Sequence, residues 1–144
     1  MEGTIIRQLS MLSVLAICSY EDMKNKRISI KWMMIFAAEG SLLWIFYGEQ
    51  SIFEMITAIC PGLCVLLLAW ITRGGIGEGD GLLLMVIGIF LGVADVLKIF
   101  LYGLFLSGAY AAALFVIGKK DRKYEIAFVP FLLLAFIGEV LLHN

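Results

Sequence analysis

The chain has 144 residues, of which 62% are apolar and 16% charged, for a formal net charge of −1, and its mean hydropathy is +0.98. Ordinary soluble domains are about 45–50% apolar and about 25% charged, and a domain this small has too little interior to hide the excess. Disorder, a collagen-like repeat, a disulfide scaffold and a nucleic-acid binder are all excluded, which leaves a multi-pass membrane protein.

Six apolar stretches follow in chain order: Ile5–Tyr20, Ile28–Tyr47, Ile52–Thr72, Leu82–Ala94, Val96–Gly118 and Ile126–Leu142. They take 110 of the 144 residues and leave 34 for connections and termini. The expectation is therefore one all-α domain over 1–144, a polytopic membrane protein with six transmembrane helices. A hydrocarbon core about 30 Å thick needs about 20 helical residues, with about 17 as a lower limit. The first stretch has 16 and the fourth only 13. Asp95 is the weakest cut, and merging stretches four and five would give five spans. No cleavable leader is expected, because the first stretch carries Arg7 and Gln8 and runs on into further apolar stretches.

Charge decides the count. Cytoplasmic loops collect Lys and Arg. With six spans, the first, third and fifth connections hold or adjoin Lys24, Lys26, Arg27, Lys31, Arg73, Lys119, Lys120, Arg122 and Lys123, nine of the eleven basic residues. Arg7 and Lys98 fall on the other side, with Glu2, Glu49, Glu54 and Asp95. Five spans would put the Lys119–Lys123 cluster on the side of Glu49. The expected topology in the cell membrane has loops 21–27, 73–81 and 119–125 in the cytoplasm and both termini outside.

Two aspartates stand where apolar stretches end or begin on that side. Asp22 closes the first within Tyr20-Glu21-Asp22-Met23-Lys24, and Asp80 opens the fourth within Gly74-Gly75-Ile76-Gly77-Glu78-Gly79-Asp80-Gly81. A lone loop aspartate is ordinarily a solvated charge. Five glycines in eight residues alter that weighing, because such a backbone takes unusual dihedrals and admits close approach of another chain. A phosphate-cradling loop would end in Lys-Ser/Thr, whereas Leu82-Leu83 follows. Two carboxyl groups sharing a site hold one proton between them near neutrality. The ionised member can take a proton from water while the protonated one polarises a carbonyl. No metal or cofactor is needed. The helix macrodipole assigns the charged form to Asp80 at a helix start and the neutral form to Asp22 at a helix end, as a tendency within a coupled pair.

Three segments carry a resemblance. Gly77-Glu78-Gly79-Asp80 resembles the G-x-G-D motif of intramembrane aspartyl proteases. Asp22-Met23-Lys24-Asn25-Lys26-Arg27-Ile28 resembles the D-x-[KR]-x-x-x-I motif of type IV prepilin peptidases. Ile126-Ala127-Phe128-Val129-Pro130-Phe131-Leu132 is similar to the aromatic-Gly-Pro-Phe-Leu segment that opens that family's last helix. The three come in the family's order and span nearly the whole chain. The resemblance implies a membrane aspartic endopeptidase with Asp22 and Asp80 as catalytic residues. It implies an active-site loop containing Gly77, Gly79 and Gly81, and makes Lys24 and Pro130 candidates for positioning substrate. No metal and no cofactor are implied. The implied partners are a prepilin or pseudopilin precursor, cut at the cytoplasmic face, and membrane lipids, with no nucleic acid.

The chain also departs from that pattern. Ser29-Ile30 stand where the family usually has Pro-Asn, Leu82 where it usually has Lys, and Val129 where it usually has Gly. Long members carry a four-cysteine cytoplasmic domain associated with N-methylation of the new amino terminus. No such domain is expected here, nor is methyltransferase activity. An archaeal-type preflagellin peptidase is the neighbouring alternative. A noncatalytic assembly or transport subunit is the alternative from another class. A transporter would want carboxylates at the bilayer midplane, where Glu39 is the candidate.

The remaining residues have plainer readings. Glu21 and Glu78 read as solvated loop charges, Glu39 as a mid-span carboxylate with a candidate role in a water path, and Glu139 as a charge snorkelling outward. The Gly88–Gly92 spacing suits close helix packing, and Pro61 and Pro130 mark kinks or helix starts. Cys18, Cys60 and Cys64 lack paired spacing and read as small apolar fillers. His143 is given no role. A fourth helix too short for the bilayer must be completed by its polar flanks, by local thinning or by burial among neighbours. Asp80 is then expected in a hydrated hollow that reaches Asp22 and is bordered by the Gly74–Gly81 loop.

Overall fold

A computed structural model describes residues 2–48, 51–118 and 125–143. Among these residues the chain forms six helices and no strand: α1 (Glu2–Asn25), α2 (Ile30–Tyr47), α3 (Ile52–Ile71), α4 (Glu78–Leu91), α5 (Val93–Val116) and α6 (Val129–His143). Helices α1, α2, α3 and α5 are long and apolar enough to cross a membrane. Their outward faces carry large apolar side chains such as Phe46, Trp70 and Phe105, each at least three-quarters exposed. Water would penalise such a surface heavily, and lipid would not. The chain is an all-α membrane protein. Glu49 and the Lys119–Lys123 cluster lie outside the described residues.

Successive helices run in opposite directions. Gly3 near the start of α1 lies against Tyr47 at the end of α2. Ala58 early in α3 meets Gly88 late in α4, and Leu66 further along α3 meets Gly81 near the start of α4. Lys98 early in α5 bridges to Glu139 late in α6. Asp22 late in α1 reaches Val129 at the start of α6. The first and third connections and the described parts of the fifth therefore gather at one end of the bundle. That is the alternation six spans require.

Helix α4 is the centre. Its Leu83, Leu84, Val86, Ile87 and Phe90 are all buried, and it packs against α1, α2, α3 and α5. Its 14 residues cover about 21 Å at about 1.5 Å per residue, so this short helix is completed by burial among its neighbours. The closest seam is with α3, which turns Ala58, Gly62, Val65 and Ala69 inward. A Cβ on Gly81 would stand 2.8 Å from the Leu66 backbone nitrogen, and one on Gly62 would strike the Met85 nitrogen. Small residues let the two backbones touch, which is how helices associate where lipid removes the hydrophobic drive.

The α4–α5 boundary differs from the expected cut at Asp95. The chain breaks at Gly92, with φ 91° and ψ 170°. L side chains avoid that conformation, so glycine sets the turn rather than the first charged residue. Gly88 abuts Ala58 in the α3 seam, where Gly81 makes a second close approach, and buried Gly92 caps the helix. Pro61 lies inside α3, whereas Pro130 is the second residue of α6, where a missing N–H costs no helical bond.

Candidate active site

Asp22 lies in the last turn of α1, where Lys26 ends the helix at φ 54° and donates its N–H to the Asp22 carbonyl at 2.9 Å. The Asp22 side chain is turned inward, and the residue is only 8% exposed. Its Oδ2 accepts a hydrogen bond from the Val129 N–H at 3.1 Å. Val129 is the first residue of α6, and first-turn N–H groups have no partner within their own helix. The carboxylate fills that vacancy, with the positive end of α6 facing it.

Asp80 occupies the first turn of α4, ahead of the apolar run that starts at Leu82. It is half-buried, and its N–H donates to the Gly77 carbonyl at 3.1 Å. The carboxyl folds back over Gly77, where a Cβ would stand 2.8 Å from Oδ2. Burial, and then the negative charge of Asp22, push Asp80 up from 3.8 to about 7. The charged form expected for Asp80 from its helix start is therefore opposed by burial and by Asp22. Near neutrality Asp80 keeps its proton in part, and Asp22 accepts a backbone hydrogen bond. The macrodipole argument considered each aspartate on its own helix. For Asp80, burial and the charge of Asp22 outweigh that contribution.

The other residues singled out in the sequence divide. Gly77 is the residue before α4 and leaves room for the Asp80 carboxyl. Gly79 and Gly81 belong to the first turn of α4 rather than to a loop. Gly79 lies against Ile28, whose Cβ would be 3.7 Å from an added Cβ, while Gly81 serves the α3 seam. Lys24 is exposed, with its ammonium 5.8 Å from the centre of the Tyr20 ring. Pro130 follows the N–H that holds Asp22.

Among the acidic residues, Glu78 is exposed, as a solvated charge should be, and Glu39 is half-buried on α2. Glu21 is not merely solvated. Its Oε2 accepts a hydrogen bond from the Ser29 N–H at 3.1 Å. The sequence hinted at this only through Ser29, which supplies an N–H that proline would lack. Glu139 does not snorkel alone, because Lys98 pairs with it at 3.3 Å and with Asp95 at 3.1 Å. These three line a cavity of about 170 Å³ with Gln8, at the opposite end of the bundle from Asp22 and Asp80. Cys18 is buried, while Cys60 and Cys64 are exposed on α3. Among the described residues, no group of three or more His, Cys, Asp or Glu could hold a metal ion.

Residues 9–112 match the type IV leader peptidase family, a stretch that includes both aspartates. Over 76 residues the chain is 34% identical to the prepilin leader peptidase/N-methyltransferase of Bacillus subtilis (strain 168). The alignment takes 53% of this chain and 31% of that relative, so the chain spans about a third of the relative's length. No solved structure matches.

Proposed function

We propose, because this chain belongs to the type IV leader peptidase family, that it is a membrane-embedded aspartic endopeptidase whose catalytic pair is Asp22 and Asp80. Its substrate in this reading is a prepilin or pseudopilin precursor, cut at the cytoplasmic face. One observation carries the proposal. Two aspartates 58 positions apart in the sequence lie at the same end of the bundle, near enough for the charge of one to raise the proton affinity of the other.

The chemistry follows from that asymmetry. Ionised Asp22 takes a proton from a water molecule as the water oxygen bonds to the scissile carbonyl carbon. Protonated Asp80 donates a hydrogen bond to the carbonyl oxygen, which gains negative charge as the tetrahedral intermediate forms. Collapse of the intermediate breaks the C–N bond, and the proton held by Asp22 passes to the leaving amine. The Val129 N–H keeps Asp22 oriented throughout. Asp80 is half-buried rather than sealed, so water can reach it.

The sidedness rests on charge. Lys24, Lys26, Arg27, Lys31 and Arg73 lie in or beside the first and third connections, at the end that holds both aspartates. Cytoplasmic loops are enriched in such residues, and anionic headgroups attract them. The deciding experiment is co-expression with candidate prepilins, with leader removal followed on a gel. Cleavage that depends on both aspartates supports the proposal. Cleavage of none by a folded, inserted chain overturns it.

A further inference from the structure

The connection between α1 and α2 is only four residues long, and its two ends are tied together. Lys26 reverses the chain in a left-handed conformation. Two residues on, Ile28 packs against the buried core and lies beside Gly79 in the first turn of α4. The next residue, Ser29, is the N-cap of α2 but makes no side-chain cap bond. What holds Ser29 is its N–H, which donates 3.1 Å to the half-buried Glu21 carboxylate one turn before the end of α1. Glu21 adjoins Asp22, and Gly79 adjoins Asp80. A continuous path of contacts thus runs from one aspartate to the other through Glu21, Ser29, Ile28 and Gly79.

We propose that Glu21 is a positioning residue: by fixing Ser29 it seats Ile28 on Gly79 and so sets the approach of Asp22 to Asp80. The proposal rests on the reading of that pair as catalytic. Ser29 itself shows how else the connection could be held. Its backbone sits at φ −70° and ψ 127°, within the narrow φ range that a proline ring imposes. Proline there would restrain the connection covalently and donate no N–H. In this chain a hydrogen bond to Glu21 supplies the restraint. Ser29→Pro should therefore make Glu21 dispensable.

The test uses the full chain in lipid vesicles with a prepilin precursor that the wild-type chain cleaves. Glu21→Ala should lower kcat about tenfold or more with KM unchanged, because an ångström-scale misplacement costs on the order of a hundredfold. Glu21→Gln retains an acceptor oxygen and should stay within about threefold of wild type. Ser29→Pro added to Glu21→Ala should restore most of the lost rate. Wild-type kcat per folded molecule in Glu21→Ala, or no restoration in the double variant, overturns the proposal. A second measurement needs no cleavage. Cysteines replacing Asp22 and Asp80, in a chain with Cys18, Cys60 and Cys64 changed to Ala, should be joined by a short bifunctional reagent. Glu21→Ala should reduce that yield severalfold, and an unchanged yield overturns the proposal. The two readings also fail separately. Cleavage by Asp22→Asn removes the catalytic assignment, whereas inactive Asp22→Asn beside fully active Glu21→Ala removes only the positioning role.

Discussion

An asparagine at Asp22 or Asp80 has the shape of the aspartate but cannot ionise or share a proton. Each single Asp→Asn variant should therefore abolish cleavage while remaining folded and inserted. A variant retaining a tenth of wild-type activity would rule out the aspartyl pair. Chelators should leave cleavage unchanged. Asp80 also makes folding depend on pH. Its proton affinity is raised from 3.8 to about 7, so between those values the folded chain holds a proton that the unfolded chain has released. Stability is full below the lower value and declines as pH rises through the upper one. The melting temperature in detergent should fall from pH 5 to pH 8, and Asp80→Asn should flatten that slope. At pH 8 the Asp80→Asn variant should melt higher than wild type, since it no longer buries a charge. Cleavage should decline above about pH 7, as the pair loses its shared proton. A pH-independent difference in melting between wild type and Asp80→Asn would contradict the burial of this carboxyl.

Two elements depend on single glycines for different reasons. Gly92 carries the positive φ that separates α4 from α5, and a side chain there strains the backbone by about 1–3 kcal/mol. Gly108 in α5 has nothing within 4 Å of an added Cβ, so alanine there meets no clash and improves helix propensity by up to about 1 kcal/mol. Gly92→Ala should lower the melting temperature and Gly108→Ala should hold or raise it. Equal effects would mean that the turn at Gly92 is not what separates the helices. The short α4 follows the same logic at larger scale. Its length is insufficient for the bilayer, but the close α3 seam at Gly62 and Gly81 encloses it in protein. Asp80 is thereby held at the end of a rigid central helix, a firmer support than a mobile loop.

The whole molecule is a bundle of alternating helices with its two aspartates at one end and the Asp95–Lys98–Glu139 ion pairs at the other. If the aspartate end is cytoplasmic, cysteines placed by Lys24→Cys and Ile76→Cys in the first and third connections should react only with a membrane-permeant reagent. Asp121→Cys in the fifth connection should behave alike, although that position lies outside the described residues. Labelling of Ile76→Cys from outside would invert the topology.

Composition alone determined the class of this protein, because so much apolar surface has nowhere to go in water. The run lengths left five or six helices open, and the charges between them decided for six. Asp22 and Asp80 could be picked out because each sits in a short local pattern, and local patterns are legible in one dimension. Other features needed the third dimension. The break at Gly92 was missed because apolarity counts register where charge begins, not where φ turns positive. The helix start alone misjudged Asp80 because its environment comes from Asp22 on α1 and from burial as well as from its own helix. Glu21 read as a solvated charge because its partner, Ser29, is eight positions away, across a chain reversal that no helical or strand periodicity encodes. Local sequence sets which groups are available. Only packing decides which of them lose water, and with it which are charged, paired or held in place.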